Sequence, residues 1–346
     1  MNKFYILDCD DQQWDNLIKS FSRTFKNIFF SRQFAKLAQQ TIYKNHKVIC
    51  LVAEQNKDIV ICPVVLRRFH YKNDIFYDLT SIYSHTGPII NNSNNNDLKL
   101  YFEKELNSFC KTKNIINYFI RYHPLMADYN VITSNTKIFN TGEYIYLDLN
   151  KLNLPIINNF ATRHIKSIRK AKNNKIRIII DNKNEFIHNF IDLYYSEMIK
   201  KNADKFYFFE KKFFLNLSNS NLQYQFFYAE HNHKIISCEL VLYDEKYSYS
   251  YLGATDENYK DLCPNHLLKE AIITFFKNQD LDFYLLGGGN TGITKYKEGF
   301  SNVNNLSNLV GIINYDNEYN EYLNKSLSIK YNLDEFKKIQ FYEQFL

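Results

Sequence analysis

The sequence predicts a mixed α/β (α+β) fold that is built twice along the chain. Helices, three antiparallel strands, a loop, a helix and a strand occur in the same order in each half. The period is roughly 170 residues, and a repeat of that length indicates a duplicated domain rather than a solenoid. Hydrophobic residues make up 45% of the 346 residues, which is enough for a buried core. A helix that connects two strands of one sheet predicts a parallel strand pair in each half.

In the first half, residues 10–45 carry apolar side chains at helical spacing, as in Trp14, Leu17 and Phe21. Three strand-like runs follow at 48–55, 58–69 and 74–82, and short polar linkers between them predict an antiparallel meander. A loop with Gly87 and Pro88, a helix at about 97–112 and the run INYFIRYHP complete this half.

The second half starts with the basic helix RHIKSIRKAKNN and continues with the strand IRIIID. A long helix (NEFIHNFIDLYYSEMIKK) and an aromatic helix (KFYFFEKKFFLNLS) lead to three strands, QYQFFYAE, KIISCELVLYD and KYSYSYLGAT. A helix over 264–278 and the strand DFYLLG follow. We expect domains at residues 1–150 and 151–316, and a helical tail over 317–346 that packs back on either half.

Composition excludes several classes of protein. The net charge of +6 favours anionic partners without requiring DNA or RNA. Six widely spaced cysteines form no C-x-x-C pair, and no histidines lie at ligand spacing, so we predict no metal. The N-terminus becomes acidic too early for a signal peptide, and no apolar run approaches a membrane span. We therefore expect a cytoplasmic protein with reduced cysteines and no transmembrane segment.

Five of the nine glycines lie in the stretch Asp282–Phe300, which follows a buried strand. Glycine is used where the backbone needs positive φ or approaches another group closely. The stretch is either a ligand-facing loop or a tight turn with a solvated lysine pair. A dinucleotide fingerprint is disfavoured, because no long helix and no suitable acid follow. On the first alternative, the substrate-binding residues are Gly287, Gly288, Gly289, Asn290, Lys295 and Tyr296.

Residues 163–177 contain seven lysines and arginines and no acid. A solvated helix face is the ordinary explanation of such a run, but the missing acids favour an anionic partner. We therefore include Arg163, Lys166 and Arg169 among the candidate binding residues.

Glu239 lies within the apolar strand ISCELVLY. A buried carboxylate needs either a basic partner or a cleft where it can exchange protons, and the sequence leaves both alternatives open. Asn265, at the start of helix 264–278, is expected to cap that helix, whose free N–H groups could bind an anion. In the first half, Tyr83, His85, Arg121 and His123 could line an acceptor pocket.

The ordered series HIKSIRKAKNN, FIDLYYSEMIKKNADKFYFF, ISCELVLY, SYLGAT, CPNHLLKEAI, LLGGGNTG and KYKEGF resembles the Fem-type (FemABX-like) branch of the GNAT acyltransferase superfamily. FYDLTSIYSHTGPII and INYFIRYHP extend the resemblance to the first half. It implies two GNAT-like domains around a central cleft. It also implies transfer of an acyl or aminoacyl group, from an acyl-CoA or an aminoacyl-tRNA, to an amine in cell-wall or surface-glycan assembly.

The family's lysine, implicated in stabilising the reaction centre, corresponds here to Lys297 in Tyr296–Phe300. Lys297 and the backbone of Gly288–Asn290 could stabilise an oxyanion, and Glu239 could accept the amine proton. The implied acceptor is an amino-sugar nucleotide or a lipid-linked or peptide precursor. The loop before helix 264–278 lacks the Q/R-x-x-G-x-G/A motif of ordinary GNAT enzymes, which weakens a simple acetyl-CoA assignment. The alternative is a non-catalytic module that binds an anionic glycan precursor or tRNA.

Overall fold

The structure is a computed structural model that describes residues 1–22, 26–71, 74–126, 129–132 and 136–316. The chain forms two compact units. The first comprises Met1–Thr141 and the segment that begins at Asn308, and the second comprises Gly142–Ser307. The helical tail predicted for 317–346 lies outside the described residues.

The strands, in chain order, are β1 (Asn2–Asp8), β2 (Lys47–Gln55), β3 (Asp58–Tyr71), β4 (Asp74–Ser81), β5 (Ile89–Ile90), β6 (Ile115–Arg121), β7 (Thr136–Asp148), β8 (Arg177–Asp181), β9 (Tyr224–His231), β10 (Lys234–Tyr243), β11 (Tyr247–Thr255), β12 (Phe283–Gly287) and β13 (Leu306–Asn314). The α-helices are α1 (Gln13–Ser20), α2 (Arg32–Thr41), α3 (Asn96–Thr112), α4 (Thr162–Asn173), α5 (Ile187–Lys200), α6 (Lys211–Ser218), α7 (Pro264–Asn278) and α8 (Thr291–Glu298).

The sheet of the first unit has the strand order β1-β2-β3-β4-β6-β13, and β5 pairs with β3. Strands β2, β3 and β4 form the predicted antiparallel meander, and β6 pairs parallel to β4 after helix α3. Leu98, Phe102 and Leu106 of α3 recur at helical spacing and pack in the core of this unit. The meander fixes the antiparallel neighbours, and the helix between β4 and β6 makes the parallel pair possible.

The sheet of the second unit has the order β7-β12-β11-β10-β9-β8. Strands β8 to β11 are antiparallel neighbours, and β12 pairs parallel to β11 after helix α7. Leu268, Ile272 and Phe276 of α7 are buried in the core of this unit. The prediction of a mixed α/β fold with the same order of elements in each half, and a parallel pair after each helix, is confirmed.

One predicted element is shorter than expected. The aromatic run from Lys205 forms a single 3₁₀ turn, Lys205–Tyr207, and the α-helix begins only at Lys211. Phe208 and Glu210 have ψ angles of 75° and 153°, which interrupt the helix. Phe209, between them, is buried, so burial of this ring competes with a continuous helix.

Candidate active site

A separation between two parallel strands creates the candidate site in the second unit. Strand β11 pairs with β12 over Tyr247–Tyr249, while β11 continues to Thr255. A cavity of about 340 Å³ lies beside the part of β11 beyond this pairing. Its lining comprises Glu197, Lys201, Cys238, Glu239, Ser250, Tyr251, Leu252, Gly253, Ala254, Thr255, Lys260, Asn265, Leu268, Lys269, Leu286, Ile293, Tyr296 and Lys297.

The glycine-rich segment forms the turn between β12 and α8. Gly287 has φ +76°, which disfavours any residue with a Cβ atom. A Cβ atom on Gly289 would lie 2.5 Å from Cγ2 of Ile293. Asn290 caps α8, since its Oδ1 accepts a hydrogen bond from the Ile293 amide at 3.0 Å. The geometry of the turn therefore explains Gly287, Gly289 and Asn290. The helix α8 that follows the turn places Lys297 at the cavity.

Lys297 is half-buried and lines the cavity. Its Nζ donates to the carbonyl oxygen of Gly288 at 2.5 Å, so Gly288 contributes its carbonyl group to the lysine. No carboxylate among the described residues forms an ion pair with this ammonium. Burial, reinforced by the charge of Lys269, lowers the pKa of Lys297 to about 8. Lys297 is therefore a cation that can also release its proton near neutral pH.

Glu239 has a basic partner, which was one of the two alternatives the sequence left open. Lys269 donates to both carboxylate oxygens of Glu239, at 2.8 and 2.6 Å, and Tyr284 donates to Oε1 as well. The lysine also donates to Tyr284 at 2.9 Å and to Ser250 at 3.2 Å. Burial lowers the pKa of Lys269, and Glu239 opposes that shift. We call Glu239, Lys269 and Tyr284 the buried charge cluster.

Three contacts hold α8 against the rest of the second unit. The Nε2–H of buried His164 donates to the carbonyl oxygen of Tyr296 at 2.7 Å. Arg163 donates to the carbonyl oxygen of Lys295. The Tyr296 hydroxyl donates to the carbonyl oxygen of Asn265 at 3.2 Å. Arg163, which was predicted to bind an anion, therefore fixes the backbone of the helix that carries Lys297.

Asn265 does not cap α7, which corrects the sequence-based expectation. The N-cap is Cys263, with φ +60°, and Pro264 is the first helical residue. The Oδ1 of Asn265 accepts hydrogen bonds from Ser237, at 2.6 Å, and from Thr255. The asparagine therefore connects the start of α7 to strands β10 and β11, and it lines the cavity.

Part of the basic run on and after α4 is neutralised by acids from other elements. Lys172 pairs with Glu270 at 2.9 Å, and Arg177 pairs with Glu230 at 2.8 Å. These acids are far away in the sequence, so the sequence alone could not show that Lys172 and Arg177 are paired. Three further cations on α4, Lys166, Arg169 and Lys170, are exposed and lie outside the cavity lining. Lys295 of α8 is also exposed.

The candidate residues of the first half belong to the first unit. The rings of His85 and His123 lie 6.2 Å apart, and the guanidinium of Arg121 lies 5.8 Å from the Phe119 ring. Burial, together with the charge of Arg121, lowers the pKa of His85 to about 3. Both histidines are therefore neutral near pH 7, since burial also lowers the pKa of His123. Tyr83 is partly exposed.

The sequence contained an unused signal for the most important missed residue, Lys269. Lys269 precedes Ile272, Ile273 and Phe276 by three, four and seven positions, so it lies on the apolar face of α7. A lysine on an apolar helix face and a glutamate in an apolar strand together predict a buried ion pair. Glu197, a buried residue of α5, was missed as well, and it pairs with Lys201 at 2.8 Å.

The part of the chain that the structure describes offers neither a metal-binding cluster nor a membrane-spanning helix. No group of three or more His, Cys, Asp or Glu side chains there could hold a metal ion. None of the helices described is both long enough and apolar enough to span a membrane.

Residues 160–298 match the family model described as "Acetyltransferase (GNAT) domain". FemX has a similar structure, with a TM-score of 0.69 and 10% identity over 92% of this chain and 99% of FemX. A tandem GNAT protein from the clavulanic acid biosynthesis pathway has a TM-score of 0.54 and 6% identity, over 91% and 98% of the two chains. No curated protein sequence matches the chain.

The C-terminal domain of a putative lysylphosphatidylglycerol synthetase from Agrobacterium fabrum is similar too. Its TM-score is 0.53 and its identity 9%, over 91% of this chain and 94% of that one. At such identities the likeness establishes the fold. The predicted tandem GNAT-like fold is therefore confirmed.

Proposed function

We propose that the protein is an N-acyltransferase, because residues 160–298 match the model of the acetyltransferase (GNAT) domain. It would transfer an acyl or aminoacyl group, from an acyl-CoA or an aminoacyl-tRNA, to an amino group of a surface-glycan or cell-wall precursor. The observation that carries the proposal is the position of Lys297. This half-buried lysine lines the cavity of the matched domain, and it has no carboxylate partner among the described residues.

The chemistry follows from that position. When an amine attacks an ester or thioester carbonyl, negative charge develops on the carbonyl oxygen. The ammonium of Lys297 would stabilise this oxyanion, and its bond to the Gly288 carbonyl would hold the ammonium in place. Because this bond fixes Nζ before the reaction, little reorganisation is needed when the charge develops.

The start of α7 does not fit the pyrophosphate of an acyl-CoA. Pro264, the first residue of the helix, has no N–H group to donate. Of the acids that precede the helix, Asp256 pairs with Lys234 and Glu257 with Lys200 and Lys260, which leaves Asp261 to oppose a polyphosphate. These observations favour a donor whose phosphates bind elsewhere. Exposed cations of α4 are available for the backbone of an aminoacyl-tRNA.

For the acceptor, we propose an amino-sugar nucleotide or a lipid-linked or peptide precursor. The resemblance to Fem-type enzymes supports this class of acceptor, and so does the likeness to a domain named as a putative lysylphosphatidylglycerol synthetase. Aminoacyl-tRNAs and nucleotide-linked sugars are cytoplasmic molecules, so we propose that the reaction takes place in the cytoplasm.

The test is a donor-consumption assay with charged tRNAs, a panel of acyl-CoAs and amino-sugar nucleotides. We expect turnover by the wild type, and a loss of kcat of about 10²–10³ for Lys297→Ala, as for removal of one oxyanion donor. Lys183→Ala is the control, because Lys183 is an exposed lysine of the same unit outside the cavity lining. Ribonuclease separates the two classes of donor. Equal turnover by Lys297→Ala and the wild type would refute the role of the lysine.

The second candidate function is a binding module for an anionic glycan precursor or tRNA. The exposed cations Lys166, Arg169 and Lys170 favour it, since they lie outside the cavity lining. If no donor is consumed with any acceptor, while tRNA binds and Arg169→Ala weakens that binding, this second function replaces the first.

A further inference from the structure

The attacking amine must lose a proton during acyl transfer, and the geometry limits which side chain can accept it. Glu239 was the sequence-based candidate. Its Oε2 accepts from Lys269, and its Oε1 accepts from both Lys269 and Tyr284. Both oxygens of Glu239 are therefore already engaged by donors of the protein itself. Glu239 is therefore better suited to holding Lys269 than to deprotonating a substrate.

Lys297 has the opposite environment. Its Nζ donates to a carbonyl oxygen, that of Gly288, and this hydrogen bond needs only one N–H. The neutral amine of Lys297 can keep this bond and still carry a lone pair that accepts a proton. Because no carboxylate of the described residues pairs with Lys297, the protonated form gains no ion pair.

We propose that Lys297, in its neutral form, is the general base of the acyl transfer, and that Lys269, held by Glu239 and Tyr284 in the buried charge cluster, opposes its protonation. The inference rests on the proposed function, because it assigns a role within that reaction. Lys269 holds a second ammonium at the same cavity, where burial weakens solvent screening between the two lysines.

The step balances without any further reactant. The acceptor nitrogen forms a bond to the carbonyl carbon, and the π electrons of the carbonyl move to its oxygen. One proton of the attacking nitrogen passes to Nζ of Lys297, which becomes an ammonium beside the oxyanion. Collapse of the intermediate breaks the bond to the leaving group, and Lys297 returns the proton to that group. Amide and protonated leaving group are the products, and the lysine is neutral again.

The charged groups around Lys297 come from several elements. Lys269 of α7 opposes its protonation, and Glu239 of β10 favours it, while burial is the largest cause of its lowered pKa. The other charged residues that line the cavity are Glu197, Lys201 and Lys260. Glu197 is paired with Lys201, and Lys260 lies 3.9 Å from Glu257.

The test measures the titration of Lys297 directly. Wild-type protein is acetylated with trace acetic anhydride between pH 5 and 11, and modification of each lysine is read by peptide mass spectrometry. We expect half-maximal labelling of Lys297 near pH 8. Lys295 serves as an internal reference, since it is exposed and lies two residues away.

Two substitutions are expected to move this titration in opposite directions. Lys269→Met removes a like charge, so the pKa of Lys297 rises, and labelling at pH 7 falls about tenfold for each unit of the rise. Glu239→Gln removes an opposite charge, so the pKa falls and labelling at pH 7 increases. Lys172→Met, which removes a paired lysine outside the cavity lining, should change nothing.

Lys269→Met leaves Glu239 without its cation, and this variant could fail to fold. The double variant Lys269→Met/Glu239→Gln replaces both charges, and its titration should lie between those of the two single variants. In an active enzyme, the rise of kcat with pH should follow the same shifts.

The outcomes separate the two proposals. If Lys297 titrates above about 10, as an ordinary lysine does, or resists labelling at every pH, the inference is wrong even for an active acyltransferase. The inference is also wrong if Lys269→Met and Glu239→Gln shift the titration of Lys297 in the same direction. If Lys297 titrates as expected and no donor is consumed, the proposed function fails instead.

Discussion

Gly299 is the position where one added methyl group tests how α8 is held. A Cβ atom there would lie 2.3 Å from Nε2, 2.5 Å from Cε1 and 2.7 Å from Cδ2 of His164. His164 is 3% exposed, so its ring cannot move into solvent without opening the core. The backbone at Gly299 has φ −64° and ψ −11°, which alanine adopts freely. Any loss of stability in Gly299→Ala must therefore come from the contact with the ring.

The size of that loss can be worked out from the contacts. Forcing an extra carbon into a packed site costs about 1–3 kcal/mol. Displacing His164 also weakens its hydrogen bond to the Tyr296 carbonyl, which is worth about 0.5–1.5 kcal/mol. We therefore expect Gly299→Ala to lower the free energy of unfolding by about 2–4 kcal/mol, measured by equilibrium urea denaturation.

Gly292→Ala is the matched control on the same helix. Its nearest neighbour would be Oδ1 of Asn290 at 3.6 Å, an ordinary contact, and alanine favours a helix over glycine by up to about 1 kcal/mol. His164→Ala should recover part of the loss in the Gly299→Ala background, because it removes the clashing ring. A Gly299→Ala protein as stable as the wild type, or a double variant without such recovery, would refute the steric reasoning.

Two further predictions concern stability. Lys269→Met should lower the free energy of unfolding by about 3–5 kcal/mol, because it leaves the Glu239 carboxylate buried without its cation. The double variant Lys269→Met/Glu239→Leu should recover much of that loss. Urea denaturation measures both, and a loss below about 1 kcal/mol for the single variant contradicts the pairing. Burial lowers the pKa of His266 to about 4, so the unfolded chain binds more protons than the folded one below pH 6.5. The free energy of unfolding should therefore fall as the pH is lowered from 6.5 to 4. His266→Phe should reduce this dependence on pH, and the part due to His85, whose pKa is also lowered, should remain. An unchanged dependence in the variant argues against a neutral buried His266.

The sequence predicts those elements of the fold whose signal is local and long. The helix expected at about 97–112 is observed as Asn96–Thr112, and the helix expected at 264–278 has those bounds. Strands β7 and β13 were not predicted. In the first half of Thr136–Asp148, exposed residues occur at both odd and even positions, so the alternation of buried and exposed residues that marks a strand is missing. The partner of β13 within the first unit is β6, nearly two hundred residues earlier, so no local pattern reports that pairing.

The candidate site shows the same division between local and distant information. Lys297 was identified through the resemblance of its segment, and in the structure it lines the cavity. A charge in an apolar strand marked Glu239, but its partner Lys269 is separated from it by 30 residues. Asn265 was expected to cap a helix because asparagine does so commonly, and here the hydroxyls of Ser237 and Thr255 take its side-chain oxygen instead. Tertiary contacts overrode the local preference.

The separation of β11 from β12 also bears on how such a protein can evolve. Residues 250–255 of β11 line the cavity beyond the last pair with β12, while their other edge pairs with β10. The backbone N–H and C=O groups of alternate residues therefore point away from β10, on the side where β12 has ended. Main-chain groups are the same for every amino acid except proline, and substitution by any other residue does not remove them. A recognition surface built partly from them tolerates mutational drift in the side chains, whereas Gly287, with its positive φ, does not. A similar fold can therefore be retained although this chain and FemX are only 10% identical in sequence.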